Sequence, residues 1–245
     1  MKKTLLAAIL ALAVPLSAGA TSIGSSSFIN GGLGASAAFD LTGNILTVTL
    51  TNTGSGDVMV PSDILTALFF STNVGATLTV GSAVLNTGST VFYDAQGQPA
   101  GGVVGGEWAY KSGLSGAPLG ANSGISSTGV GLFGAGDLFP GPDLEPPASP
   151  DGPQYGILSA GDNTATGNSG VLDSGGLIKN SVVFTLTVVG NLTSISNISF
   201  QYGTSLTEPN FSGGPGDITV PDGGMTLSLL GLALGSLGMF ARRRA

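Results

Sequence analysis

The 245-residue chain has no cysteine and no histidine. The first absence excludes disulfides, thiol nucleophiles and zinc sites built on Cys. The second excludes His ligands, Ser-His-Asp arrangements and a histidine pH switch. Charge is scarce too: Asp, Glu, Lys and Arg supply 9% of the residues, where a globular domain usually has about 25%. Basic residues are the scarcest, and five of the seven stand at the two ends, as Lys2, Lys3, Arg242, Arg243 and Arg244. Residues 21–219 hold two lysines, Lys111 and Lys179, against 13 acids, a net charge of −11. Such a surface releases no counterions from nucleic acid, and it is repelled by anionic lipid or polysaccharide unless a divalent cation bridges the two. Nucleic-acid binding is therefore excluded.

Glycine (42) and proline (13) are abundant, and apolar residues make up 42% of the chain. That combination suits many short strands joined by turns around a real core. Period-two patterns recur. "NILTVTLTN" sets Leu46, Val48 and Leu50 against Thr47, Thr49 and Thr51. "ATLTV" puts Ala76, Leu78 and Val80 on one face, "VFTLTVV" does so with Phe184, Leu186 and Val188, and "ISFQY" with Ile198, Phe200 and Tyr202. Alternation with β-branched and aromatic residues marks half-buried strands. Turns are expected at 54–57 (GSGD), 81–82 (GS), 86–89 (NTGS) and 190–191 (GN). "SDILTALFF" is ambiguous: Ile64, Leu65, Leu68 and Phe69 fit a helical stripe capped by Ser62 or Asp63, but a strand is favoured. The fold expected is all-β, an antiparallel sandwich or jelly-roll-like ectodomain over 21–219. Within it, Gly/Pro-rich residues 101–170 read as an ordered loop packed by its own Leu132, Phe133, Leu138, Phe139, Leu144 and Tyr155.

The ends read as addresses. "MKKTLLAAILALAVPLSAGA" has two lysines, an apolar run over 5–14 and the small pair Ala18 and Ala20, the layout of a secretory signal peptide (1–20) cut after Ala20. At the other end, residues 225–241 are uncharged and as a helix would span roughly 26 Å, just short of a ~30 Å hydrocarbon core. Arg242, Arg243 and Arg244 would stay cytoplasmic by the positive-inside bias. Before this span stands Val220-Pro221-Asp222-Gly223-Gly224, where Pro221 stiffens an extended segment and the glycines leave the backbone accessible.

Motif, short span and arginine cluster together resemble the PEP-CTERM sorting signal of Gram-negative, exopolysaccharide-producing bacteria. The tail (220–245) departs from Val-Pro-Glu-Pro by Asp222 and Gly223, like the "VPD" variants of that signal. The resemblance implies that an exosortase-type membrane protease or transpeptidase recognises the tail, cuts near the motif and passes the domain to the cell surface or matrix. Several phrases, "GISSTGVGLFG", "SPDGPQYGILSAGDN", "SVVFTLTV" and "ISFQYGTSLTEPNFSG", are similar to those of exosortase-dependent surface proteins. That similarity implies a secreted surface role, with exopolysaccharide as a candidate partner, and carries no assigned activity. A permanent single-pass anchor is the alternative.

Signals for chemistry are few, and no enzymatic activity is expected. Gly129–Gly134 (GVGLFG) satisfies G-x-G-x-x-G, but Pro140 and Pro142 follow where a helix is needed, so it reads as a turn-rich loop. Asp137, Asp143, Glu145, Asp151 and Asp162 could supply oxygens to calcium, but their spacing matches neither the EF-hand loop nor the Gly-Asp nonapeptide repeat, and solvated loop acids are the simpler account. Glu107, beside Trp108 and Tyr110, is the best candidate for a carbohydrate-binding or carbohydrate-active protein using residues 101–162. A glycosidase needs a second carboxylate, and none can be named. "EWAY" reads more simply as a strand with Trp108 in the core. Asn191, Asn197 and Asn210 each open a glycosylation triplet and are read as strand and turn residues.

Overall fold

The computed structural model describes residues 21–94, 97–134, 144, 152–214 and 217–220. The fold is all-β, built of two largely antiparallel sheets. The five-stranded sheet begins with a meander, β1 (Thr21–Asn30), β2 (Leu33–Thr42) and β3 (Ile45–Asn52). Its two tight links are Gly31-Gly32 and Gly43-Asn44. Gly31 and Gly43 have φ of 62° and 60°, the sign that two-residue hairpin turns demand.

The second sheet takes β4 (Leu65–Thr72), while β5 (Ala76–Leu85) returns to the first and β6 (Thr90–Phe92) to the second. The second sheet then adds β7 (Ala109–Ser112), β8 (Ser123–Ser126), β9 (Ile157–Leu158) and, after the one-turn helix α1 (Ser169–Leu172), β10 (Leu177–Lys179). β11 (Ser181–Gly190) crosses back to lie between β3 and β5. Finally β12 (Ser194–Tyr202), β13 (Asn210–Ser212) and β14 (Ile218–Thr219) complete the second sheet. β9 and β10 form a parallel pair, because residues 159–176, which hold α1, cross over between them.

One main core runs between the sheets. Leu46, Val48 and Leu50 of β3 and Phe184 and Leu186 of β11 face Leu68 and Phe70 of β4 and Phe200 and Tyr202 of β12. Phe39 meets Phe70 edge-on at 6.0 Å, and Trp108 meets Phe184 at 4.9 Å, tying sheet to sheet. The expected alternation holds along β3 and β11.

It fails in β5. Ala76 and Leu78 point inward, but Val80 is half exposed and the inward phase resumes at Ala83. The register explains the break: Thr187 pairs with Thr79 and Thr185 with Ser82, so β5 carries one extra residue opposite β11. The bulge sits at Gly81, where a Cβ would lie 1.9 Å from the Thr185 carbonyl oxygen. "GS" at 81–82 is thus a bulge within a strand, not a turn. Asn86–Ser89 is a turn, closed by Ser89 N–H donating to Asn86 O at 2.9 Å. Gly190 and Asn191 carry the chain from one sheet to the other.

"SDILTALFF" takes the strand reading: Leu65, Leu68 and Phe69 lie in β4, and no helical stripe forms. Residues Pro61–Asp63 make one 3₁₀ turn, and the Asp63 carboxylate accepts from Met59 and Val60 N–H at 3.1 and 3.2 Å. Asp63 is thus the last residue of that turn, reaching back to its start at Val60, and neither it nor Ser62 caps a helix over 64–69. The chain then extends into β4, whose eight residues are all buried.

β4 has cover on both faces. Its outward residues Ala67 and Phe69 join a second cluster with Ala109, Ala117, Ala121, Val130 and Phe133. Gly124 leaves room there: a Cβ would come within 3.0 Å of both Phe69 and Phe133. Residues 101–134 are therefore not a loop packed on itself. They contain β7 and β8 and lay Phe133 onto the sheet, while Leu144 and Tyr155 enter the main core. Leu138 and Phe139 lie outside the described residues. A third cluster, Val58, Ile64, Leu158, Val171 and Leu177, fills the space under residues 159–176. The far half of β12 is likewise buried on both faces, so Ser199 and Gln201 are fully enclosed. Gln201 stays satisfied by donating to Ser205 O at 3.0 Å and accepting from Asn210 Nδ2 at 3.1 Å.

Gly81→Ala is expected to lower the unfolding free energy by about 3 kcal/mol, because strand β5 must move off β11 to admit the methyl group. Urea denaturation followed by tryptophan fluorescence reads this directly, since Trp108 lies in the core.

Candidate functional site

Of the residues expected to carry sorting, Val220 lies within the described part. Its N–H donates to Thr193 O at 2.8 Å, and its side chain packs against the main core beside β14. Pro221, Asp222, Gly223, Gly224, the 225–241 span, Arg242, Arg243, Arg244, Ala18 and Ala20 lie outside the described residues. Among the described residues no helix is long and apolar enough to cross a membrane.

Glu107 closes a 3₁₀ turn, Gly105–Glu107, that leads into β7. Its neighbours are not a sugar-stacking platform. Trp108 is fully buried, and Tyr110 is buried with its hydroxyl 3.4 Å from Ser123 Oγ. What Glu107 does face is a cleft of about 390 Å³, lined also by Asp94, Gln98, Pro99, Gln154 and Tyr155. Asp94 follows β6, and Tyr155 precedes β9. The Tyr155 hydroxyl donates to Asp94 Oδ2.

Local backbone fixes this arrangement. Tyr155 holds φ +58° and Tyr93, next to Asp94, holds φ +62°, both unusual for aromatic residues. Tyr155 is kept there by its N–H donating to Gly176 O at 2.7 Å and by Gln154 Nε2 donating to Gly175 O at 3.1 Å. Gly176 is required for the approach, since a Cβ would lie 2.9 Å from the Tyr155 ring. The Tyr93 hydroxyl donates to Thr164 O. Gln98 is pinned to β6, accepting from Val91 N–H and donating to Val91 O.

Burial first, then the hydrogen bond and charge of Asp94, then the charge of Glu107 push the Tyr155 phenol well above its ordinary pKa of 10.0. The Tyr155 proton is given to Asp94. A cleft lined by two carboxylates, two amides and a phenol is polar and suits a ligand rich in hydroxyl groups. Asp94 is the carboxylate that shares this cleft with Glu107.

A smaller cavity of about 180 Å³ lies beside Asp57 and Asp63. The acids around it hold backbone. Asp57 accepts from Asn163 N–H at 3.0 Å, and Asp162 accepts from Val58 N–H at 2.7 Å while Lys179 donates to the Asp162 carbonyl at 2.7 Å. Asp162 is 4% exposed, so it is a buried clasp rather than a solvated loop acid. Burial above all, with the charge of Asp57, raises its carboxyl pKa, opposed by the Val58 bond and Lys179. Asp137, Asp143, Glu145 and Asp151 lie outside the described residues. Among the described residues no three acidic side chains gather as a metal site would require.

At Gly129–Gly134 the N–H groups of Leu132 and Phe133 both donate to Gly129 O, closing a turn on itself. Asn197 and Asn210 lie in β12 and β13, and Asn191 in the link that precedes β12. Comparison with protein-family models, curated proteins and solved structures returns no match.

A raised tyrosine pKa stabilises the fold below the unfolded value near 10, and that contribution is lost as pH rises past it. Tyr155→Phe is expected to make the chain's stability fall less steeply above pH ~10 than in the parent, a difference read from unfolding midpoints across that range. An identical alkaline profile would show that the phenol is not held as described.

Proposed function

We propose that the protein is an exported surface or matrix protein, a β-sandwich of jelly-roll-like character delivered outside the inner membrane and processed by an exosortase-type enzyme, with a structural or adhesive role. The observation that carries this reading is the order of the tail: a Val-Pro-Asp-Gly-Gly motif, an uncharged stretch over 225–241 and three arginines. The fold is compatible with it: the described residues between 21 and 220 form an all-β domain with a main core of its own. The low basic content suits an exterior domain that contacts neutral polymer rather than anionic lipid.

Protein recovered from outside the cell is expected to begin at Thr21 and end before Met225 when both termini are mapped by mass spectrometry. Removing residues 220–245 is expected to abolish delivery. Shed protein that still carries Arg242–Arg244 would instead indicate a permanent single-pass anchor.

A second reading, carbohydrate binding, is favoured by the cleft. Asp94, Glu107 and Tyr155 line it together, a set of polar groups suited to hydroxylated ligands. Glu107→Gln is expected to weaken glycan binding about tenfold, the loss of one charge-assisted hydrogen bond. Glycan-array binding that is unchanged in this variant, or absent in the parent, removes the reading.

A further inference from the structure

The two sheets are finished differently on their outer faces. Both satellite clusters cover the outside of the sheet that contains β4, and neither includes an outward residue of β1, β2, β3, β5 or β11. That second face is nearly free of charge and is built of hydroxyl and methyl groups. Thr47 of β3 stands directly opposite Thr185 of β11, Thr49 opposite Val183, and Thr79 of β5 opposite Thr187. At one corner Val189 is 54% exposed, and Val74 in the adjacent turn is fully exposed. Asp40, opposite Thr47 towards the β1 rim, is the carboxylate of β2 on this face.

We infer that the outer face of the five-stranded sheet is the docking surface for a second copy of this chain, packed sheet against sheet about a twofold axis. Charge selects the occupant. Two copies that carry −11 between residues 21 and 219 repel where their acids meet, and the strands of this face bring one carboxylate from each copy, Asp40. Area agrees. Five strands about 4.8 Å apart and eight residues about 3.3 Å each make a face of roughly 600 Å², or about 1,200 Å² buried by a pair, which meets the lower bound of specific interfaces. The chemistry fits as well. Threonine methyls and small residues let two twisted sheets approach closely, while the hydroxyls retain partners in their own strands or across the pair. Because the contact is isologous, each side group meets its counterpart near the axis, and no further surface is left to propagate a fibre. The inference does not rest on the sorting signal.

The absence of cysteine makes the test direct. Full-length protein in detergent is expected to sediment as a dimer, and Thr49→Lys with Thr185→Lys is expected to return it to a monomer with its circular dichroism intact. In separate single variants, Thr49→Cys is expected to cross-link to itself with a short bis-maleimide on the order of a hundredfold faster than the exposed control Thr207→Cys, reflecting the high effective concentration within a pair. Monomeric parent protein would overturn the inference. So would equal cross-linking rates, or a dimer that survives both lysines, which would be held by the apolar tail. If a neutral polysaccharide shields Thr49→Cys from alkylation while the protein stays monomeric, the face belongs to the polymer and not to a second copy.

Discussion

The structure depends on one constraint, the burial of β4 on both faces. A strand with one wet face needs a single layer of cover, and β3 and β11 are of that kind. β4 places Leu68 and Phe70 into the space between the sheets, and Ala67 and Phe69 on the other side. Each large side chain removed from water contributes about 2–3 kcal/mol only if something covers it. The Gly/Pro-rich middle of the chain meets that need, bringing β7, β8 and Phe133 over the outer face. Some of the polar groups taken inside are answered locally: Ser126 Oγ donates to Thr66 O at 3.1 Å, and Asn122 bonds both the N–H and the C=O of Thr72.

Glycine serves this cover by its small size as much as by its conformational freedom. At Gly124 the missing Cβ admits two phenylalanine rings, at Gly176 it admits Tyr155, and at Gly81 it admits a neighbouring backbone. The last of these turns β5 and resets its phase. Acidic residues act in a comparable way. Asp57, Asp63 and Asp162 bind backbone N–H groups across loops, so part of the negative charge is structural. Asp94 and Glu107 also line the cleft, beside a phenol whose pKa burial and their own charge raise.

The two finishes also separate possible roles. The covered sheet brings its edge and loops to the cleft, the part of the molecule suited to a small hydroxylated ligand. The bare sheet offers a broad uncharged face suited to another protein surface. In a chain with few cations, both are ways to make contacts that do not rely on charge attraction.

Strands of the bare sheet could be read directly from residue order, because one wet face leaves an alternation: Leu46, Val48 and Leu50 against three threonines, Phe184, Leu186 and Val188 against two. Reading failed where burial was double or where backbone geometry intervened. β4 lost its alternation to cover on both sides, Val80 was turned outward by the Gly81 bulge, and β7, β8 and β9 were too short and too rich in Gly and Ser to show a period. Glu107 could be singled out from its aromatic neighbours, yet those neighbours went into the core. Its actual companions, Asp94 and Tyr155, are 61 positions apart in the chain, and no local pattern links them.

By itself, residue order determined the class of the molecule: an acidic β protein without thiol or imidazole chemistry. Those properties follow from composition and nearest-neighbour pattern, which survive unfolding. Which faces were covered, where the strand phase broke and which carboxylates shared a cleft were decided by tertiary structure alone, because each depends on atoms brought within a few ångströms by pairing between distant strands.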